Sequence, residues 1–371
     1  MATHNSQKLP DYVFLPPEIA QRYAEQTRRG LYDLLPSEIS WRNRYEYLEK
    51  RGYILRPRYH PDWRPSWMGT NIAPDLCEDF IRLARYHVID ATRTSDRMRV
   101  AIKSVSNQGE ELRISRLVSS LGGSDNHCIS AIEVLPDPLN DHRSLLVMPY
   151  LRPYDNPELQ TVEEVVSFVS QMLKGLTFLH RHRIAHRDIA PPNIMMDARP
   201  LYPNDHHPVR MHRAPDAIHD AIPLSRSDHP VKYYYVDFGL SVHFPEGASS
   251  RVVGVVGRDK EIPELSADVP YDAFKADIYA LGNLFDKAYL QRYSNVEFLR
   301  RLVECMKQQD PELRPPADEL LKMFRQLRAL VPEPSLRWRL VQRSEQPYEK
   351  FINDTVAVAR GGLSNLKRMV G

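Results

Sequence analysis

Residues 183–197 read RIAHRDIAPPNIMMD. Asp188 and Asn193 share this short loop, and the pair suits a base or orienter beside an oxygen ligand for a metal. Upstream, Thr161 and Glu164 have the spacing of a capping box, which predicts a helix start. Val165, Val169, Met172, Leu176 and Leu179 carry its apolar stripe toward the loop. Downstream, YYYVDFGLS puts Asp237 directly after an apolar β-run and just before Gly239. An acid at a strand end in that setting suits Mg²⁺.

The partners that phosphate chemistry needs lie toward the N-terminus. HVIDAT and RVAIKSV are short β-rich runs around a polar TRTSDRM turn and predict a hairpin. Lys103, two residues after Ala101 in VAIK, can reach phosphate oxygens if a carboxylate holds it. Glu111, opening the helix predicted in GEELRISRLVSSLGG, is the candidate. CISAIEVL and SLLVMPYL predict two further strands. Strands first and helices after give an α+β protein with a sheet-rich lobe and a helical lobe.

At the N-terminus, residues 37–51 predict one helix with Trp41, Tyr45 and Leu48 on a single face and Gly52 as its stop. YILRPRYHPDWRPSW is extended, because Pro57, Pro61 and Pro65 restrict it. Its arginines and aromatics could form a nucleic-acid surface; a brace packed on the next domain is the simpler reading. Residues 198–232 predict an insertion. His206, His207, His212, His219 and His229 are irregularly spaced there, without Cys, and read as a solvated loop rather than a metal site.

Bulk composition excludes little beyond this. The 371 residues carry 50 Lys+Arg against 48 Asp+Glu, a formal charge of +2, which gives no reason to expect nucleic acid or a membrane surface. Three separated cysteines argue against disulfides and zinc. Neither a signal-peptide core nor a spanning apolar run is visible. An intracellular setting is expected, cytoplasmic first, with the nucleus left open.

Taken in order, VAIK, HRD with Asn193, DFG and Ile262-Pro263-Glu264 resemble the protein kinase family. Asp277 through Gly282 and Asp310 through Pro315 resemble two further elements of that family. The likeness covers roughly 80–330. It implies a bilobal protein-kinase-like fold, with a small antiparallel β-rich N-lobe and a larger helical C-lobe binding ATP and Mg²⁺ between them. The expected organisation is an N-terminal helical and extended brace over 1–75 and a kinase domain over 76–333. Its N-lobe spans 76–150 and its C-lobe 151–333 with the insertion 198–232; a tail follows over 334–371. The resemblance makes Asp188 the base, Lys103 the phosphate cation locked by Glu111, and Asp237 and Asn193 the metal ligands. Val88, Ala101, Met148, Pro149, Tyr150 and Leu151 would line the adenine, and Asp155 would face the ribose. Arg187 would take an activation-segment phosphate, with Ser249 and Ser250 as acceptors, and Glu264–Arg314 would be scaffold. Together with the brace and the insertion, the motifs resemble a divergent kinase group expanded in mushroom-forming fungi.

Two departures stand out. Counting back from Val88, the positions of the glycine-rich loop fall on Ile81, Leu83 and Tyr86, whose bulk should obstruct the backbone's approach to phosphate or raise the loop. Ala190 and Pro192 occupy the places where Ser/Thr and Tyr kinases respectively carry a loop cation. Three readings follow. The first is a kinase acting on Ser/Thr of a protein, the second a pseudokinase serving as a scaffold, and the third a small-molecule phosphotransferase, against which Glu264 and Arg314 speak. The substrate and oligomeric state are not set by the sequence.

Overall fold

The computed structural model describes residues 9–83 and 85–356, grouped in two compact units. One comprises residues 1–108, 131–150 and 199–224; the other comprises 109–130, 151–198 and 225–371.

The first unit begins with helices α1 (Pro17–Arg28), α2 (Pro36–Arg42) and α3 (Tyr45–Lys50). The single helix expected over 37–51 is thus two, broken at Asn43–Arg44, although Trp41, Tyr45 and Leu48 are all buried. Arg44 explains why the break is kept: it turns a fork onto Asp137, Nε to Oδ1 at 2.8 Å and Nη2 to Oδ2 at 2.6 Å. Gly52 ends α3 with a φ of +86°, where a side chain would be strained.

Five antiparallel strands follow: β1 (Tyr53–Leu55), β2 (Val88–Arg93), β3 (Arg99–Ser106), β4 (Glu133–Pro136) and β5 (Arg143–Pro149), in the order β1-β2-β3-β5-β4. Strand alternation divides the sheet into two faces. Ile89, Ala91, Val100, Ile102, Leu145 and Val147 share one buried cluster with Trp41, Tyr45, Leu48 and Tyr59. The opposite face carries Val88, Asp90, Ala101, Lys103, Leu146 and Met148, in register through the pairs Val88–Lys103, Ala101–Met148 and Lys103–Leu146.

The N-terminal segment is therefore more than a brace outside the domain. It supplies an edge strand, with Tyr53 opposite Arg93 and Leu55 opposite Ala91, and half of the sheet's core. Its arginines and aromatics are used internally. Arg58, buried, holds Glu38 at 2.8 Å and lies over Trp63; Tyr59 and Trp67 are buried.

The insertion also departs from expectation. Residues 199–224 group with the first unit instead of forming a solvated loop. Arg99 pairs with Asp205 at 2.8 Å, the Tyr150 hydroxyl donates to Pro208 O at 2.7 Å, and Arg210 bonds Asp75 O. His206 and His207 are buried, and His207 Nε2 lies 3.5 Å from Glu78. No group of three or more His, Cys, Asp or Glu among the described residues could hold a metal ion.

The second unit is mainly helical: α4 (Glu110–Ser120), α5 (Val162–Arg181), α6 (Ala273–Phe285), α7 (Arg300–Met306) and α8 (Ala317–Ala329). Thr161 caps α5 by accepting from Glu164 N, while the Glu164 carboxylate accepts from Gln160 N, one residue earlier than a strict capping box. The paired strands are β6 (Arg152–Pro153), β7 (Ile184–Ala185), β8 (Ile194–Met196), β9 (Tyr233–Tyr235), β10 (Val242–His243), β11 (Arg251–Gly254) and β12 (Ser266–Asp272). β6-β8-β9 form one small sheet, and β7–β10 and β11–β12 form ribbons. Among the described residues no helix is long and apolar enough to cross a membrane.

Candidate active site

The loop 183–197 is shaped from below by Asp277 on α6. Its buried carboxylate accepts from His186 N and Arg187 N, each at 2.7 Å, and from His180 Nε2 at 3.2 Å. Arg187 sits at φ +64°, a left-handed backbone that a non-glycine residue adopts at a cost. The two bonds to Asp277 hold it there. His186 is fully buried, and burial pushes its imidazole's pKa down, so it is neutral. Its Nε2 then donates to Val236 O at 3.2 Å while Nδ1 accepts from Asp188 N at 3.3 Å. One neutral tautomer satisfies both bonds.

This leaves Asp188 projecting with its carboxylate partnered on both oxygens. Asn193 Nδ2 donates to Oδ2 at 2.6 Å and to Asp188 O at 2.8 Å. Arg258 N donates to Oδ1 at 2.7 Å, and Arg258 Nε lies 3.5 Å from Oδ2. Asn193 is buried, and its Oδ1 has no hydrogen-bond partner. Flipping the amide would not cure this, because the oxygen would then face two acceptors on Asp188.

Pairing of β8 with β9 sets Ile194 opposite Tyr235, and Val236 N donates to Asn193 O at 3.0 Å, so Asp237 leaves the sheet next to Asn193's strand. Asp237 adopts φ +66°, ψ +76°. A Cβ at Gly239 would lie 3.3 Å from Asp237 Oδ1 and 3.8 Å from Glu111 Oε2, so the glycine leaves room for both carboxylates. Asp188, Asn193, Asp237 and Glu111 thus belong to one unit and are set by one arrangement of loops.

In the first unit, Val88, Ala101, Lys103 and Met148 lie on the sheet face opposite the core cluster. Pro149 lies opposite Val100, and the Tyr150 N–H is spent on Arg99 O at 3.3 Å. Pro149 has no N–H and presents only its carbonyl. Leu151 is buried and Asp155 exposed, both in the second unit. Ile81, Leu83 and Tyr86 lie in the irregular stretch that leads into β2. β1 and β2 are joined by the connector 56–87, with short 3-10 turns at Pro57–Tyr59, Pro74–Leu76 and Glu78–Phe80. Ile81 is buried, Leu83 packs against the core cluster, and Tyr86 is exposed, its carbonyl accepting from Trp41 Nε1.

Arg187 spends two guanidinium nitrogens on main-chain carbonyls and leaves its Nε without a partner among the described residues. Its Nη1 donates to Leu240 O at 3.4 Å and its Nη2 to Val253 O at 3.1 Å. Ser250 Oγ donates to Asp272 Oδ2 at 2.8 Å, and Ser249 Oγ accepts from Arg251 N. Glu264 and Arg314 form a two-pronged pair, Nη2 to Oε2 at 2.9 Å, with Arg314 buried. The contacts of Asp277 and Arg258 with the loop are what sequence reasoning missed. The DIYALG motif marked the helix but not its acceptor role, and nothing near 258 signals a partner at 188.

The protein kinase domain model matches residues 86–293. The chain is 28% identical over 201 residues to the serine/threonine-protein kinase atg1 of Penicillium rubens, covering 52% of this chain and 20% of that protein. It is 26% identical over 199 residues to an Aurora kinase of Yarrowia lipolytica, covering 52% and 43%. A probable serine/threonine-protein kinase of Dictyostelium discoideum is 25% identical over 277 residues, covering 72% and 35%. The chain thus spans less than half the length of each of these relatives.

Proposed function

Because the chain belongs to the protein kinase family, we propose that it transfers the γ-phosphoryl of ATP to Ser or Thr hydroxyls of a protein. One observation carries this reading: the Asn193 amide is tied through nitrogen to Asp188, which leaves a buried oxygen without a partner. An orphaned hard oxygen costs stability unless a donor or cation completes it, and it suits Mg²⁺. Asn193 and Asp237 would hold the ion, which supplies charge neutralisation for the phosphates. Lys103 would hold the phosphates and Glu111 would hold Lys103. Val88, Ala101, Met148, Pro149, Tyr150 and Leu151 would line the base, with Asp155 toward the ribose. Asp188 would orient the acceptor hydroxyl and take its proton.

A recess at Asp188 is lined by Leu240, Val256, Ile262, Leu265 and Tyr271 together with Arg187 and Asp259. A protein substrate is preferred because Glu264 and Arg314 resemble the elements that organise a protein-substrate groove. Ser/Thr preference takes support from the relatives' names. Assignment to the group expanded in mushroom-forming fungi rests on the motifs with the brace and the insertion, and an intracellular site of action on the three separated cysteines and the absence of a visible targeting signal. We take the domain as 76–333, with the preceding segment contributing strand β1.

The pseudokinase alternative is favoured by the connector 56–87, which stands where other kinases carry the glycine-rich loop. The deciding measurement is Mg-ATP binding by calorimetry with autophosphorylation, wild type beside Asp188→Ala and Asp237→Ala. Absence of ATP binding at millimolar concentration would overturn the enzyme reading, and binding without transfer would select the scaffold.

A further inference from the structure

We propose that Arg258, from the activation segment, supplies the transition-state cation that the loop 183–197 lacks. The assignment rests on the kinase reading of the same site. In the transfer, the acceptor hydroxyl gives its proton to Asp188 and its oxygen bonds the γ-phosphorus. The bond to the β–γ bridging oxygen breaks, and that electron pair leaves with ADP. Negative charge is spread over the transferred group's oxygens meanwhile. A cation beside Asp188 acts on that charge.

Ala190 and Pro192 cannot provide it. Other nearby cations are committed: Arg187 to Leu240 O and Val253 O, Lys260 to Val255 O, Lys275 to Arg314 O. Arg258 differs from these. Its main chain is pinned to Asp188 Oδ1 at 2.7 Å, and its Nε stands 3.5 Å from Oδ2. Among the described residues, Nη1 and Nη2 have no partner, and the side chain is 46% exposed. With the guanidinium half-exposed and 3.5 Å from Asp188 Oδ2, the contact adds little to stability, so structure alone gives weak reason for the guanidinium to be there.

Gly257 makes the approach close. A Cβ there would lie 3.2 Å from Arg187 O and 3.8 Å from Asp188 Oδ1, and the neighbouring segment would have to give. Glycine at 257 and arginine at 258 thus act together: one lets the chain reach the loop, the other delivers the charge.

The test uses the full chain and four variants: Asp188→Ala, Arg258→Gln, Arg258→Lys, and Arg258→Gln combined with Ala190→Lys. Transfer of labelled phosphate from Mg-ATP to casein gives kcat and KM. Calorimetry gives the affinity for Mg-ADP with and without aluminium fluoride, which mimics the transferred group. Arg258→Gln is expected to lower kcat about 100-fold with little change in KM. It should leave Mg-ADP affinity unchanged and abolish the tightening by aluminium fluoride. At least one lysine variant should regain about tenfold or more of the lost rate, since each restores a cation.

Arg258→Gln at or above the wild-type rate, or with its aluminium fluoride response intact, overturns the assignment. Failure of both lysine variants to regain rate while Mg-ADP still binds also overturns it. A wild type no more active than Asp188→Ala refutes the kinase reading, and the assignment with it. An active wild type beside an equally active Arg258→Gln refutes the assignment alone.

Discussion

Asp277→Asn is the most informative single change outside the reacting groups. The carboxylate receives two main-chain N–H groups, His186 N and Arg187 N, both at 2.7 Å and each on its own oxygen. Asparagine keeps one acceptor oxygen and turns an NH₂ toward the other N–H. One buried donor is then orphaned, at a cost of about 1–3 kcal/mol. The surviving bond also weakens, because charge-assisted bonds are about twice as strong as neutral ones. Arg187 at φ +64° loses half of what holds it against roughly 1–3 kcal/mol of backbone strain. A destabilisation of about 2–4 kcal/mol follows, and at about 2–4 °C per kcal/mol the melting temperature should fall by roughly 4–16 °C. Asp188 sits one residue beyond the strained position, so kcat should fall about 100-fold, the scale expected for a misplacement near 1 Å. Scanning calorimetry and the phosphate-transfer assay read the two effects. A melting temperature within about 1 °C of wild type, with kcat unchanged, would show that the loop is set by Asn193 and the β7–β10 pairing instead.

Other perturbations test the fold around that loop. Removing residues 1–75 takes Trp41, Tyr45, Leu48, Tyr53, Leu55 and Tyr59 from the core. At about 1.5–3 kcal/mol each, that loss matches a whole domain's net stability of roughly 5–15 kcal/mol. The product should lack a cooperative melt, and a melt close to that of the full chain would refute the integral role of the segment. Glu264→Gln leaves the Arg314 guanidinium buried beside a neutral partner and should cost about 3 kcal/mol, read from the thermal shift.

Burial lowers the pKa of His127 and of His186, so both stay neutral in the fold. Their contribution is complete above the unfolded value near 6.5 and is lost as pH falls below it toward the folded values. Glu164, raised by burial, works in the opposite sense. Comparison of wild type with His127→Gln from pH 7 to 5 isolates one histidine, and identical slopes would refute its being buried neutral.

Much of this was legible because the chemistry sits in short, contiguous motifs. The β2–β3 hairpin, α4 and the start of α5 at Thr161 follow from local spacing; the Glu264–Arg314 pair, 50 residues apart, is expected only from the family resemblance. What was not legible depends on contacts distant in sequence. No periodicity at 53–55 marks a strand whose partner begins after a connector of irregular turns. The break between α2 and α3 comes from Arg44 reaching Asp137, 93 residues away. The histidines at 206 and 207 read as loop residues, because composition says nothing about Glu78 or about the hydroxyl of Tyr150 that pins the insertion.

The same reasoning alters the meaning of the missing glycines. Counting back from Val88 assumes that the preceding strand lies immediately upstream, joined by a tight loop. Here β1 ends at Leu55 and the chain passes through three short turns before β2 begins at Val88. Ile81, Leu83 and Tyr86 therefore do not replace glycines in a loop of the same shape; they belong to a different connection, and Ile81 and Leu83 are absorbed by its packing. Arg56 makes the consequence concrete. It follows β1 on the face opposite the core and lies 3.2 Å from Asp90, on the same face as Ala101 and Lys103. Its Nη1 donates to Ile81 O at 2.9 Å, and Glu78 stands 3.3 Å away. A connector anchored by buried charge is stiff where a glycine loop is pliable. On the proposed kinase reading, the phosphates would meet this anchored connector in place of a glycine loop. Loosening the anchor by Glu78→Gln should therefore change the affinity for Mg-ATP while leaving the lower loop, and Asp188 with it, untouched.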